Sequence, residues 1–329
     1  MKHATRIADL GCEVVEEILA AAKSWKRQPH RKHLEGKVLG LVFFNPSLRT
    51  RASFEAVMAR GGGSAIMIEA GSESWKLEHR VGAVMNGECA EHLREAVPVL
   101  SRYVDALGVR SFSTDGNDEE DCRDALMRAF RKYATVPTLN LESAREHPCQ
   151  GLADLMTIEE QFGATRCLPV LLTWAPHIKP LPKAVPNSFL LTAAMRGCEI
   201  RIAHPPGFEL HREIIGEAHA YAEAAGGSIS FFCEQERALQ DVCVVYAKAW
   251  GPSTSRERVN DADSPHADWM LSARQMAGAA KDAIFLHCLP VRRNVEVADE
   301  VLDGEWSRVV DEAENRFHVQ RALLHWLLN

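Results

Sequence analysis

The sequence predicts an α/β protein of two domains, each a mainly parallel sheet flanked by helices, and three observations carry that expectation. Short continuous apolar runs recur along almost the whole chain. Amphipathic stretches with helical spacing separate them. The runs number nine, more than one small sheet usually holds.

The first run, Val38-Leu39-Gly40-Leu41-Val42-Phe43-Phe44, has the length and evenness of a strand buried on both faces. The same reading covers 65–68, 106–109, 136–139, 168–172, 200–203, 229–232, 242–246 and 283–286. Between them, 14–23 and 213–225 read as amphipathic helices. Leu152, Leu155, Met156 and Phe162 keep helical spacing, so 148–162 is expected to be a helix able to bridge the two domains. A last helix is expected over 314–328, with Phe317, Val319, Ala322, Leu323 and Leu327 as its apolar positions. The acidic stretch 115–121 reads as a solvated loop.

A formal net charge of −7 excludes a chain that wraps nucleic acid as a whole. No apolar run reaches membrane-spanning length, and the mixed residues after Met1 give no secretory pattern. The nine cysteines form no Cys-x-x-Cys pair, and their odd number argues against a disulfide framework. Reduced thiols in a cytoplasm are the expectation.

Three segments could carry chemistry. Ser47-Leu48-Arg49-Thr50-Arg51 follows the first strand and the Asn45-Pro46 turn. Ser47 is a good N-cap, and a helix over 49–60 would offer unpaired N–H groups, hydroxyls and two guanidinium groups to a phosphate. A capped helix with surface arginines is the plainer alternative. Gly61-Gly62-Gly63-Ser64 lacks the Lys-Ser/Thr of a Walker motif and reads as a helix C-cap. His147-Pro148-Cys149-Gln150 stands at the entry of the bridging helix, where His147 and Gln150 share a face. His287-Cys288-Leu289-Pro290-Val291-Arg292-Arg293-Asn294 follows a strand, at the end where open α/β sheets bind ligands. Adjacent His287 and Cys288 point apart, which disfavours a metal there, and no base is evident for a catalytic cysteine. Lys248 and Trp250 also follow a strand, and Trp75 with Lys76 lies in a polar loop.

In order and spacing these segments resemble the aspartate and ornithine carbamoyltransferases. Ser47 to Arg51 is similar to their Ser-x-Arg-Thr-Arg signature, and His147 to Gln150 to their His-Pro-x-Gln. His287 to Pro290 is similar to the His-Cys-Leu-Pro of the ornithine branch. The Ser-Met-Gly loop of ornithine enzymes is absent, and Tyr246-Ala247-Lys248-Ala249-Trp250-Gly251 stands instead. With Trp75, Phe43 to Asn45, Val109 to Phe112 and Thr173 to His177, this resembles the N-acylornithine branch, whose subgroups use N-acetyl- or N-succinylornithine. The stretch Glu312 to Gln320 resembles the acetyl subgroup, while Trp75 to Glu78 and Ala184 to Phe189 resemble the succinyl subgroup. Where the acetyl subgroup has a glutamate before its Glu-His pair, this chain has Ala90. A glutamate would repel a succinyl carboxylate and fill its space. A lysine of the acetyl subgroup is replaced by Glu296, and the balance favours succinyl.

The resemblance implies a carbamoyl-phosphate domain of 1–147 plus 315–329, the last helix returning to it, and an acylornithine domain of 148–314. It implies that Ser47, Leu48, Arg49, Thr50 and Arg316 hold the phosphate, with Trp75 supplied by a neighbouring subunit. Arg110, His147 and Gln150, with Cys288 and Leu289, would orient the carbamoyl group, so Arg49, Thr50, Arg110, His147, Gln150 and Cys288 are the expected catalytic set. Glu142 and Lys248 would take the α-end of the acceptor, with His177, Asn187, Arg293 and Ala90 near it. No metal or organic cofactor is expected, nor a nucleic-acid or membrane partner; a homotrimer with shared sites is. The alternatives are an enzyme using ornithine or aspartate, and a silent member that only binds carbamoyl phosphate.

Overall fold

The computed structural model describes residues 1–27, 32–70, 75–112, 118–163, 165–252 and 266–329. Its strands are β1 (Val38–Phe43), β2 (Ser64–Glu69), β3 (Leu77–Glu78), β4 (Glu91–His92), β5 (Ala106–Ser111), β6 (Thr138–Ser143), β7 (Pro169–Trp174), β8 (Glu199–Ala203), β9 (Ser228–Phe232), β10 (Val244–Lys248) and β11 (Ile284–Leu286). The α-helices are α1 (Gly11–Lys26), α2 (Leu48–Gly61), α3 (Leu93–Leu100), α4 (Asp118–Arg123), α5 (Ala125–Tyr133), α6 (Pro148–Phe162), α7 (Ala184–Met195), α8 (Arg212–Ala225), α9 (Gln235–Ala238), α10 (Ala273–Met276), α11 (Asp299–Leu302) and α12 (Val309–Leu328).

The nine expected strands all form, in two wholly parallel sheets of four and five. Their order is β2-β1-β5-β6 in one and β11-β10-β7-β8-β9 in the other, with β3 and β4 as a separate two-residue pair. The chain divides into a unit of Met1–Asp115, Arg123–Cys149 and Arg316–Asn329, and a unit of Gly116–Cys122 and Gln150–Asn315.

Within the first unit the core gathers Val42, Leu93, Val97, Leu107, Val109, Met127 and Phe130. Glycines at 40 and 108 let neighbouring side chains close over the sheet: a Cβ on Gly108 would stand 2.8 Å from Leu141. Gly62 caps α2 in the left-handed conformation, at φ 84°. A Cβ on Gly63 would meet the Lys37 carbonyl at 2.6 Å, so the glycine run is spent on the turn into β2. In the second unit α7 is buried at every position, as its apolar composition all round requires.

Two expectations change. The run at 136–139 is displaced: β6 is Thr138–Ser143, carrying buried Asn140 and half-buried Glu142. Polar residues hid that strand because its far end serves a polar site. Residues 115–117 of the acidic stretch lie outside the described residues, and from Asp118 onward it is helix α4 instead of a loop.

The strand order reverses between β1 and β5 in the first sheet and between β10 and β7 in the second. At such a point the connections leave on opposite faces and open a crevice at the carboxyl ends. Ser47 to Arg51 follow β1, Arg110 stands near the end of β5, His177 follows β7 and Lys248 ends β10, so these residues lie at those carboxyl ends, while His147 follows β6 and Cys288 follows β11.

Candidate active site

In the first unit Ser47 caps α2, its Oγ accepting from the Thr50 N–H at 3.3 Å. Leu48 is 82% exposed, so its side chain contributes no packing and its backbone N–H belongs to the unpaired first turn. Thr50 is buried and its Oγ1 accepts from the Arg316 guanidinium at 3.2 Å. The loop behind the site is fixed from β1 and β5: Phe44 N–H donates to the Arg110 carbonyl (2.9 Å) and Phe112 N–H to Asn45 Oδ1 (2.7 Å).

Arg110 is buried at the end of β5, stacks its guanidinium 4.6 Å above the Phe112 ring, and pairs with Glu142 of β6. Glu142 also stands 3.6 Å from His147 Nε2. His147 is placed by a turn in which Ser143 N–H donates to the Glu146 carbonyl at 2.9 Å, with Asn140 Nδ2 donating to the same carbonyl. Burial, and after it the charges of Arg316, Arg110 and Arg49, hold the His147 imidazole well below its usual range. It is therefore neutral at neutral pH and offers one N–H and one lone pair. Three guanidinium groups from separate segments thus act on one neutral imidazole, and Glu142 pairs with one of them. Such a cluster accepts a small anion of more than one charge.

The depressed His147 sets a pH dependence. Its neutral form contributes stability fully present above the unfolded value near 6.5 and drained as pH falls from there toward the lower folded value. Urea denaturation midpoints of the wild type and of His147→Gln, measured at a series of pH values, are expected to converge as pH is lowered from 7 to 5. Parallel stability curves would show that His147 does not titrate this way.

In the second unit Gln150 is buried, and its Nε2 donates to Asp154 Oδ1 and Glu312 Oε1, both at 2.7 Å. The amide nitrogen expected to reach a ligand is therefore committed to two carboxylates. Glu312 Oε2 accepts the His287 N–H at 2.9 Å, joining α6 and α12 to the end of β11. His287 Nδ1 accepts the Leu289 N–H at 2.9 Å, and Leu289 takes a left-handed φ of 53°. A branched side chain there is strained by roughly 1–2 kcal/mol. Packing sustains that turn, in which Cys288 is also buried.

Burial alone would push the Glu296 carboxyl up, but His287, Lys248 and the Arg292 N–H together hold it down at about 2. Lys248 ends β10 buried, with no hydrogen-bond partner among the described residues. Its ammonium faces the Glu296 carboxylate electrostatically and keeps its hydrogen-bond donors for a further acceptor. His177 Nε2 accepts from Arg292 Nε at 3.1 Å, while its Nδ1 side faces the Lys179 carbonyl at 2.8 Å. The same burial lowers His177, which keeps it in the acceptor form. The Arg292 terminal nitrogens have no partner among the described residues.

Arg293, one of the residues expected near the acceptor, is bound to Asp299 at 2.8 Å and Asp303 at 2.7 Å. Arg292 was the guanidinium left open, and adjacency in sequence gave no signal to separate the two. Glu142 lies in the first unit, paired with Arg110. Asn187 is buried in α7. Ala90 is exposed, its N–H donating to the Lys76 carbonyl at 2.9 Å, and Trp75, 60% exposed, donates from Nε1 to Glu91 at 2.8 Å.

Comparison with known proteins extends this. Residues 2–160 match the carbamoyl-P binding domain, and 182–327 the Asp/Orn binding domain, of the aspartate/ornithine carbamoyltransferases. An N-acetylornithine carbamoyltransferase of Xanthomonas campestris is 36% identical, over 98% of this chain and 97% of its own length. An N-succinylornithine carbamoyltransferase of Bacteroides fragilis is 37% identical, over 96% and 95%. A solved acetylornithine transcarbamylase with bound acetylcitrulline superposes with a TM-score of 0.96, at 36% identity and complete coverage of both chains. A Glu-to-Ala variant of N-acetyl-L-ornithine transcarbamylase, complexed with carbamyl phosphate and N-succinyl-L-norvaline, superposes at 0.95, with 37% identity over 99% of this chain and 100% of that one.

Proposed function

The chain belongs to the aspartate/ornithine carbamoyltransferase family, and from that premise we propose that it transfers the carbamoyl group of carbamoyl phosphate to the δ-amine of an N-acylornithine, N-succinyl-L-ornithine ahead of N-acetyl-L-ornithine. The products are the N-acylcitrulline and phosphate. The observation that carries the reading is the convergence of Arg49, Arg110 and Arg316 on His147 beside the capped start of α2.

In this reading Ser47, Arg49, Thr50, Arg316 and the first N–H groups of α2 hold the phosphate. Trp75 of a neighbouring copy closes it, which requires an oligomer, for which the family suggests a homotrimer. The neutral δ-amine attacks the carbamoyl carbon. A C–N bond forms, the C–O bond to phosphate breaks, and the amine proton passes to the departing phosphate. Charge that develops on the carbamoyl oxygen is met by Arg110, Thr50 and the N–H of neutral His147. The Gln150–Glu312–His287 chain supports the turn whose Cys288 and Leu289 carbonyls orient the carbamoyl amide.

For the acceptor, Lys248 and Arg292 offer two cationic groups against the one carboxylate of Glu296. N-Succinylornithine carries two carboxylates, N-acetylornithine one. Ala90 adds no charge and little bulk where the acetyl subgroup carries a glutamate, and a Glu-to-Ala variant of an acetyl enzyme was solved with N-succinyl-L-norvaline. The activity would serve arginine biosynthesis in the cytoplasm.

The test is product formation from carbamoyl phosphate with N-succinylornithine, N-acetylornithine, ornithine and aspartate in separate reactions. Fastest turnover is expected with N-succinylornithine. Faster use of the acetyl compound would overturn the acyl assignment, and preference for free ornithine the whole acceptor reading.

A further inference from the structure

A second cluster lies apart from the residues above and takes no part in the transfer. Helix α4 carries Glu119 and Cys122, three residues apart and hence on one face. Helix α8 begins with His211 as its N-cap and Glu213 in its first turn. The segment 116–122 groups with the second unit, as does α8. Ligand atoms of Cys122, His211 and Glu213 all lie within 4.8 Å of one another. Cys122 Sγ is 3.6 Å from Glu213 Oε2, and His211 Nε2 is 3.2 Å from Glu119 Oε2.

The geometry points to a divalent transition-metal site, best suited to zinc, with Cys122, His211 and Glu213 as its ligands and Glu119, beside His211, as the side chain that can swing in as the fourth. Ligands at about 2.0–2.3 Å from a tetrahedral zinc stand roughly 3.3–3.8 Å from each other. The Cys122–Glu213 and His211–Glu119 separations fall within or just below that range, while the set of three spans up to 4.8 Å, so closure on an ion draws its side chains inward. Thiolate, imidazole and carboxylate together suit zinc; calcium and magnesium prefer oxygen alone. Cys122 is buried, which shields a thiolate–metal bond from solvent.

Without an ion the same groups make a hydrogen-bonded helix cap. His211 Nδ1 accepts the Glu213 N–H at 3.3 Å, which places the ring proton on Nε2, facing Glu119. Metal binding at Nε2 leaves the ring proton on Nδ1, giving up the long cap bond. The Cys122 S–H bond breaks and its proton goes to solvent.

The probe is Co²⁺, added to the full chain after treatment with a chelator. One equivalent is expected, with visible bands of a four-coordinate ion and a near-ultraviolet thiolate-to-cobalt band, both displaced by Zn²⁺. Cys122→Ser should remove the thiolate band and His211→Gln should weaken binding about tenfold or more. Absence of the thiolate band in the wild type would overturn the site. So would its persistence in Cys122→Ser, since Cys12, Cys167 and Cys233 are exposed and could bind cobalt on their own. Should Cys122→Ser lose its fold by circular dichroism, Glu119→Gln, altered at an exposed position, decides: affinity weakened about tenfold supports the site, unchanged affinity overturns it.

Discussion

Replacing Arg49 by alanine is expected to lower kcat/KM for carbamoyl phosphate by about 10³-fold and to leave the protein folded. Arg49 sits in the first turn of α2, behind the Ser47 cap, where the helix end and the guanidinium both favour a phosphate. Alanine is at least as good a helix former, so the helix itself loses nothing by the change. Removing a charge that faces developing negative charge in a water-poor site costs far more than removing one from a surface pair. A second readout separates this from general damage. Arg49 is one of three charges that depress His147, so the His147 pKa should rise in the variant, measured by NMR titration of the ring. An unchanged kcat/KM, or an unmoved His147, would remove Arg49 from the site.

How far the sequence could be read differs between the fold and the site. Apolar runs announce buried parallel strands, because both faces of such strands must be apolar, and each of the nine runs overlaps a strand of the two sheets. Strand β6 was misplaced because Asn140 and Glu142 interrupt its apolar pattern to serve buried polar contacts. Ser47 as a cap was legible, since capping is local chemistry. The tie between Gln150 and Glu312 spans 162 positions and leaves no local trace. Equally hidden was the meeting of α4 with the start of α8, which brings Cys122 and Glu213 together across 91 positions.

Arg292 and Arg293 offer the sharpest contrast between neighbours. Arg292→Ala is expected to lower kcat/KM for the acylated acceptor by about 10²-fold or more, while KM for carbamoyl phosphate stays near its starting value. Its Nε is held by His177, which fixes the guanidinium plane and leaves the terminal nitrogens for a carboxylate. Arg292→Lys should recover little, because an ammonium cannot both satisfy His177 and grip a carboxylate through two bonds. Arg293 is exposed and already satisfied by Asp299 and Asp303, so Arg293→Ala should leave acceptor kinetics within about twofold. His177→Ala should fall between, since it frees the orientation of Arg292 without removing its charge. Steady-state kinetics of the four variants with N-succinylornithine as the varied substrate decide the matter. A large loss in Arg293→Ala with Arg292→Ala unaffected would return the acceptor to the residue first expected from the sequence.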